Sequence, residues 1–311
     1  MKRTALLENI SPWAKLLLLS AFLVLSALLT SLLGLLIGKF YFETDLASLG
    51  EYLANPTTDR QVYFLKFYQL INQIGVFFIP VIIFALFVSR SVSRYFSLDQ
   101  PPNTTNLLIM GVVVFTMLPF VNFLGELNQG MQMPDSLKWV EEWMREKEDQ
   151  AALITDAFLR TSSIGGLMVN LLIVALVPAI GEELLFRGAL LKLFAQITRN
   201  IHLSVLITSL LFAAIHIQFY GFLPRFFIGM MLGYAYVITG SLWVPMAMHF
   251  INNGASVMIY YLHFNGYIKV SMEKFGAADN TVYIIGSALI TLWLLLIVSR
   301  RERRWFAGLK E

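Results

Sequence analysis

The chain has 311 residues, of which 57% are hydrophobic and only 14% charged, and its mean hydropathy is +0.68. A soluble domain of this length carries about a quarter charged residues, so a soluble enzyme or a string of soluble modules is excluded. The net charge of +3 is spread out, with no basic run interleaved with aromatics, which argues against nucleic acid as a partner. The absence of cysteine removes disulfides, thiolate metal ligands and a cysteine nucleophile.

Apolar runs near the ~20 residues that span a bilayer predict an all-α, polytopic transmembrane bundle of about eight helices. The runs fall at Leu16–Gly38, Tyr63–Val88, Asn106–Phe123, Ile164–Ile180, Leu203–Tyr220, Phe222–Thr239, Trp243–Leu262 and Val282–Val298. The first follows Lys2, Arg3 and Lys15 and ends without a small-residue cleavage site. It therefore reads as a retained helix, not a signal peptide. The sixth is the weakest, because Pro224, Arg225 and several glycines interrupt it. Trp13, Tyr41, Trp243 and Trp305 lie near span ends, where interfacial aromatics belong.

Lysine and arginine placement sets the orientation. With eight spans both termini share a side. Lys2, Arg3, Lys15, Arg90, Arg94, Arg187, Lys192, Arg199 and the final Arg300, Arg301, Arg303, Arg304 and Lys310 put that side in the cytoplasm. Glu43, Asp45, Glu51, Asp59 and the acidic stretch from Asp135 to Asp156 fall opposite. The expectation is a multi-pass plasma-membrane protein with both ends cytoplasmic. Three parts of one bundle are expected: 1–160, then a core at 161–265, then 266–311 with the last span and a basic tail. Between the third and fourth spans, Asp135–Gln150 puts Leu137, Val140, Trp143 and Met144 on one helical face. This is either an amphipathic helix at the membrane interface or a solvated helix packed on the bundle.

Ionisable groups inside apolar spans are costly, and persist where they pair, line a wet cavity or do chemistry. Three groupings stand out. Glu182 and Glu183 follow Pro178 and Gly181 near the end of the fourth span. Glu183 and Arg187 are four apart and share a helical face, while Glu182 points about a quarter-turn away. The pair thus reads as structural support and Glu182 as the acid free for chemistry, unless both are interfacial charges without function. His216 lies four residues after Phe212 in the fifth span, where the ring walls the imidazole. A lone histidine bonded across helices is the alternative. His249 and Asn253 share a face of the seventh span. They read either as two donors to a developing oxyanion or as interhelical hydrogen bonds. His202 and His263 sit at span ends and read as interfacial.

The ordered set Glu-Glu-x-x-x-Arg, Phe-x-x-x-His and His-x-x-x-Asn, complete in Glu182, Glu183, Arg187, Phe212, His216, His249 and Asn253, resembles the signature of the CAAX-protease and bacteriocin-processing (CPBP, or ABI) family. These are intramembrane endopeptidases that include the type 2 CAAX prenyl endopeptidases. The likeness runs from about Ile164 to Tyr261, a third of the chain. It implies an all-helical protease whose site opens to the cytoplasm. Glu182 and His216 would activate a water, and His249 and Asn253 would hold the oxyanion. The expected partners are a peptide or protein substrate, with or without a lipid modification, and the bilayer. No cofactor is required in the preferred chemistry. The alternative is zinc on Glu182, His216 and His249, a three-ligand set with an open position that lacks the short His-Glu-x-x-His spacing. The rival function is a non-catalytic scaffold, immunity factor or transporter. A transporter favours internal repeats, and only Gly221–Gly233 is interrupted by glycine and proline, without a counterpart.

Overall fold

The computed structural model describes residues 5–43, 50, 52 and 56–302. Lys2, Arg3, Asp45, Glu51, Arg303, Arg304, Trp305 and Lys310, on which part of the orientation argument rests, lie outside them. Among the described residues every regular element is helical. The main helices are α1 (Pro12–Tyr41), α2 (Asp59–Val88), α3 (Thr104–Gln129), α4 (Lys138–Leu159), α5 (Ile164–Thr198), α6 (Ile201–Ala214), α7 (Phe222–Thr239), α8 (Trp243–Phe264) and α9 (Thr281–Arg301).

Local chemistry explains most boundaries. Ser11, Thr58, Asn103, Ser163, Asn200 and Asn280 each cap a helix by accepting a first-turn amide. Thr58 and Gln61 do so reciprocally at the start of α2. Arg199 ends α5 in the left-handed region at φ 53°, and Gly240 ends α7 at φ 64°, the latter a position glycine takes without steric penalty.

Six of these helices are long and apolar enough to cross a membrane: α1, α2, α3, α5, α9 and α7 extended back to Phe219. The other two predicted spans differ. α6 has 14 residues, about 21 Å of helix, and stops short of Tyr220. α8 has the length, 22 residues, but a polar row of His249, Asn252 and Asn253 lowers its apolarity. The leucines of α1 and the outer face of α9, among them Leu28, Leu32, Leu289 and Trp293, are exposed. Such faces are at ease only in lipid. The protein is therefore an integral membrane protein.

The place of the acidic pair in α5, at its nineteenth and twentieth residues, corrects one expectation. The fourth span does not end near Ile180. It continues as a 35-residue helix, and Glu182 and Glu183 lie near its middle. Two π-helical stretches, Leu171–Leu176 and Leu184–Leu190, bracket the pair, and a third, Ile74–Phe78, faces it from α2. Wide turns of this kind shift the helix face and release backbone carbonyls.

The glycines of α7 also play a different part from the one expected. They do not break the helix. A Cβ on Gly229 would stand 3.1 Å from Ser209 Cβ, and one on Gly233 would stand 2.9 Å from a Val205 methyl. The glycines let α6 and α7 approach closely, as small residues do between membrane helices. Two buried apolar clusters result. One joins α1, α2, α5 and α6, the other joins α3 and α9, and α7 and α8 contribute to both.

The acidic stretch forms a 3₁₀ turn at Asp135–Leu137 followed by α4, which runs nine residues past the expected Gln150. It packs on the bundle. Trp143 meets Phe219 with ring centroids 5.2 Å apart, the Arg145 guanidinium lies 4.6 Å over the Tyr220 ring, and Glu148 accepts the Tyr220 amide at 3.2 Å.

Candidate active site

α5, α6 and α8 bring all three sequence groupings to one place. Glu182, Glu183, Arg187 and His249 are buried, with 6%, 0%, 1% and 4% exposure. Arg187 donates to Glu183 Oε1 at 2.7 Å and to the Gly229 carbonyl at 2.7 Å. Its guanidinium also lies 5.0 Å from the centroid of the Phe212 ring. The expected i, i+4 pair therefore forms, and it also ties α5 to α7, which the sequence did not indicate.

His249 reaches the same carboxylate. Its Nδ1 stands 2.9 Å from Glu183 Oε1, while its Nε2 faces Glu182 Oε2 at 3.9 Å. An ionised, Arg-paired carboxylate is an acceptor only, so Nδ1 carries the proton. Glu182 Oε2 is buried and takes no hydrogen bond. Such orphaned acceptors are uncommon in a folded protein and call for a reason.

Charge balance gives the group its chemistry. Two carboxylates and one guanidinium leave a single negative charge, and burying an unpaired charge is costly. One further proton makes the cluster neutral, either on His249 Nε2 beside a Glu182 carboxylate or on Glu182 beside neutral imidazole. The two sites are 3.9 Å apart, so the proton has two nearly adjacent positions.

His216 does not lie within a helix. α6 ends at Ala214, and His216 occupies the turn that follows, half-buried. Its Nδ1 donates to the Phe212 carbonyl at 2.8 Å, which leaves Nε2 as the acceptor of the neutral ring. The Phe212 ring stands between the two imidazoles, with centroids 5.2 Å from His216 and 5.8 Å from His249. Phe212 thus walls the site, as its spacing from His216 predicted.

Asn253 donates through Nδ2 to the Val174 carbonyl at 3.2 Å. Val174 lies inside a π-helical stretch. Asn252 in turn donates to Asn253 Oδ1 at 3.2 Å. Among the described residues, no group of three His, Cys, Asp or Glu side chains is placed to hold a metal ion. His216 stands across the Phe212 ring from His249, so the Glu182, His216 and His249 set is not drawn together as one ligand group. His202 bonds the Tyr234 hydroxyl at 3.0 Å, away from the site.

Three roles escaped the sequence reading. Gln73, the last residue of α2 before its π-helical stretch, meets Glu182 through its side chain, and its amide oxygen is buried without a partner. It was visible as a polar residue inside an apolar run. Arg225 bonds Gln218, and Gln218 donates to Glu148 at 3.4 Å. This chain fixes the turn that carries His216 under α4. Gly181 brings α5 against α2. A Cβ there would stand 2.8 Å from Phe77 Cβ and 2.5 Å from the Phe78 ring.

Comparison with known proteins falls on the same segment. Residues 164–255 match the family model described as type II CAAX prenyl endopeptidase Rce1-like. Over this segment the chain is similar to the CAAX-protease family. The resemblance read from the motifs is thereby borne out, within closely similar limits. An uncharacterized 24.3 kDa protein of Escherichia coli is 34% identical over 91 residues, covering 28% of this chain and 42% of that protein. The uncharacterized protein YpbD of Bacillus subtilis (strain 168) is 35% identical over 86 residues, covering 26% of this chain and 41% of that protein. The chain thus spans about two fifths of the length of these curated relatives. No solved structure matches it.

Proposed function

We propose that this protein is an intramembrane endopeptidase that hydrolyses a peptide bond with a water activated by Glu182 and His216. The observation that carries the reading is the buried, unpartnered Glu182 Oε2 held 3.9 Å from His249 Nε2, inside the segment matched by the CAAX endopeptidase family. Glu182 takes a proton from the water, which His216 Nε2 orients by accepting its second hydrogen. The hydroxide attacks the scissile carbonyl. His249, as imidazolium, donates from Nε2 to the oxyanion, and Asn253 turns its amide from the Val174 carbonyl to the same oxygen. Collapse of the tetrahedral species breaks the C–N bond, and Glu182 returns its proton to the leaving amine. Glu183 and Arg187 touch no reacting atom in this scheme. They position His249.

The substrate class is a C-terminal peptide segment presented at the membrane, with CAAX-type processing or peptide maturation as the physiological setting. The protein sits in the plasma membrane with both ends cytoplasmic. If all eight predicted spans cross, α4 and the 215–221 turn fall on the outer face, whereas the resemblance implies entry from the cytoplasm. Because the chain lacks cysteine, a single Gln218→Cys substitution probed from each side assigns the face directly.

The test is cleavage by the purified full chain in nanodiscs against C-terminal peptides with and without a prenylated cysteine, run in ¹⁸O-labelled water. Hydrolysis places one labelled oxygen in the new carboxylate. A folded preparation that cleaves no peptide of either kind contradicts the proposal.

A further inference from the structure

Far from Glu182, at the end of the bundle where α2 and α5 begin, the structure contains a cavity of about 580 Å³. Its walls come from the first turns of α2 and α5 and the last turns of α4. Lys66 reaches it from α2. This lysine is only 8% exposed. Its Nζ donates to Asn170 Oδ1 at 2.8 Å, and Asn170 Nδ2 donates to the Leu159 carbonyl at 3.1 Å. The second bond fixes the amide so that its oxygen faces the ammonium.

A neutral amide satisfies one of three ammonium donors and none of the charge. Of the two acids on the cavity wall, Asp156 is held by other partners. Asp156 accepts Arg160 Nη2 at 2.6 Å and also takes the Tyr260 hydroxyl. Asp59 lies in the first turn of α2, where the helix N-terminus favours an acid. Among the described residues no carboxylate pairs with Lys66, and the two ion pairs of this region, Arg60 with Glu43 and Arg160 with Asp156, do not include it. A buried cation without a counter-charge, facing a polar cavity, is costly unless an anion enters.

We propose that this cavity binds a phosphate-class anion, with Lys66 as its counter-charge and the hydroxyls of Tyr63 and Thr161 as further donors. The volume accommodates a group much larger than a monatomic ion. Lys66 lies seven residues, about 10 Å, from the start of α2, within reach of the headgroup layer. A phospholipid headgroup and free inorganic phosphate share this chemistry. The proposal stands apart from the proteolytic reading and does not depend on it.

The experiment uses the full chain in neutral detergent and in phosphatidylcholine nanodiscs. Thermal unfolding is followed as sodium phosphate replaces chloride at matched ionic strength, and as phosphatidylglycerol replaces part of the phosphatidylcholine. The expected result is a concentration-dependent rise in Tm with phosphate, phosphatidylglycerol or both. A response to lipid alone assigns the headgroup, and a response to phosphate in detergent assigns the free anion. Lys66→Gln keeps a donor for Asn170 and removes the charge, and it should weaken binding about tenfold or more. Lys66→Arg should retain the response. No rise with either anion, or wild-type affinity in Lys66→Gln, overturns the proposal. Native mass spectrometry of the wild type requires no variant. Retained phosphate or phosphatidylglycerol supports the site, and spectra free of both refute it.

Discussion

Replacing Arg187 by methionine removes the only guanidinium of the buried cluster and leaves its shape nearly filled. Two hydrogen bonds of 2.7 Å are lost, one to Glu183 and one to the Gly229 carbonyl, together with the stacking on Phe212. Ordinary interhelical hydrogen bonds in membranes average about 0.6 kcal/mol, so bond loss alone predicts a destabilisation near 1 kcal/mol. Leaving a buried carboxylate without its cation costs about 3–5 kcal/mol, and at 0% exposure of Glu183 this larger figure applies. Reversible unfolding in mixed micelles measures the difference. The double variant Glu183→Gln, Arg187→Met removes both charges and should recover most of the loss. A loss near 1 kcal/mol that is unchanged by the second substitution refutes the charge-balance argument.

Asn253→Ala should slow cleavage about a hundred- to a thousand-fold, as removal of an oxyanion donor does, with little change in substrate KM in steady-state assays. Gly181→Ala forces a methyl against Phe77 and Phe78, and should destabilise by about 1–3 kcal/mol as read by unfolding in micelles. Glu141 is held below the usual carboxylate range, first by the Met133 amide and then by Arg145. Its contribution is present above the unfolded carboxylate value and is lost as pH falls through the lowered folded value. The protection factor of the Met133 amide, its exchange rate relative to the intrinsic rate at each pH, should therefore fall in acid, and the Glu141→Gln variant should show no such pH dependence.

The membrane class and the convergence of Glu182, Glu183, Arg187, Phe212 and His249 were legible because each rests on a short-range rule. Apolar length gives spans, and four-residue spacing gives shared faces. What the sequence hid depends on geometry between helices. The long α5 was read as ending near Ile180 because charged residues normally mark span ends, yet here Glu183 and Arg187 neutralise each other inside the bundle. α6 looked longer because Ile215, Ile217 and Phe219 continue its apolar run, although the helix stops at Ala214 and Ile217 adopts a φ of 52°. The glycines of α7 looked like interruptions because their partners, Val205 and Ser209, lie on another helix. Gln73 was passed over because a single amide carries no spacing signal.

The central claim is that the Glu182 carboxylate is the base that activates water. Glu182→Gln keeps the shape and the burial and removes the base. Single-turnover cleavage in nanodiscs, on protein shown to unfold like the wild type, should fall by about a hundred- to ten-thousand-fold. A Glu182→Gln protein that cleaves at the wild-type rate contradicts the account.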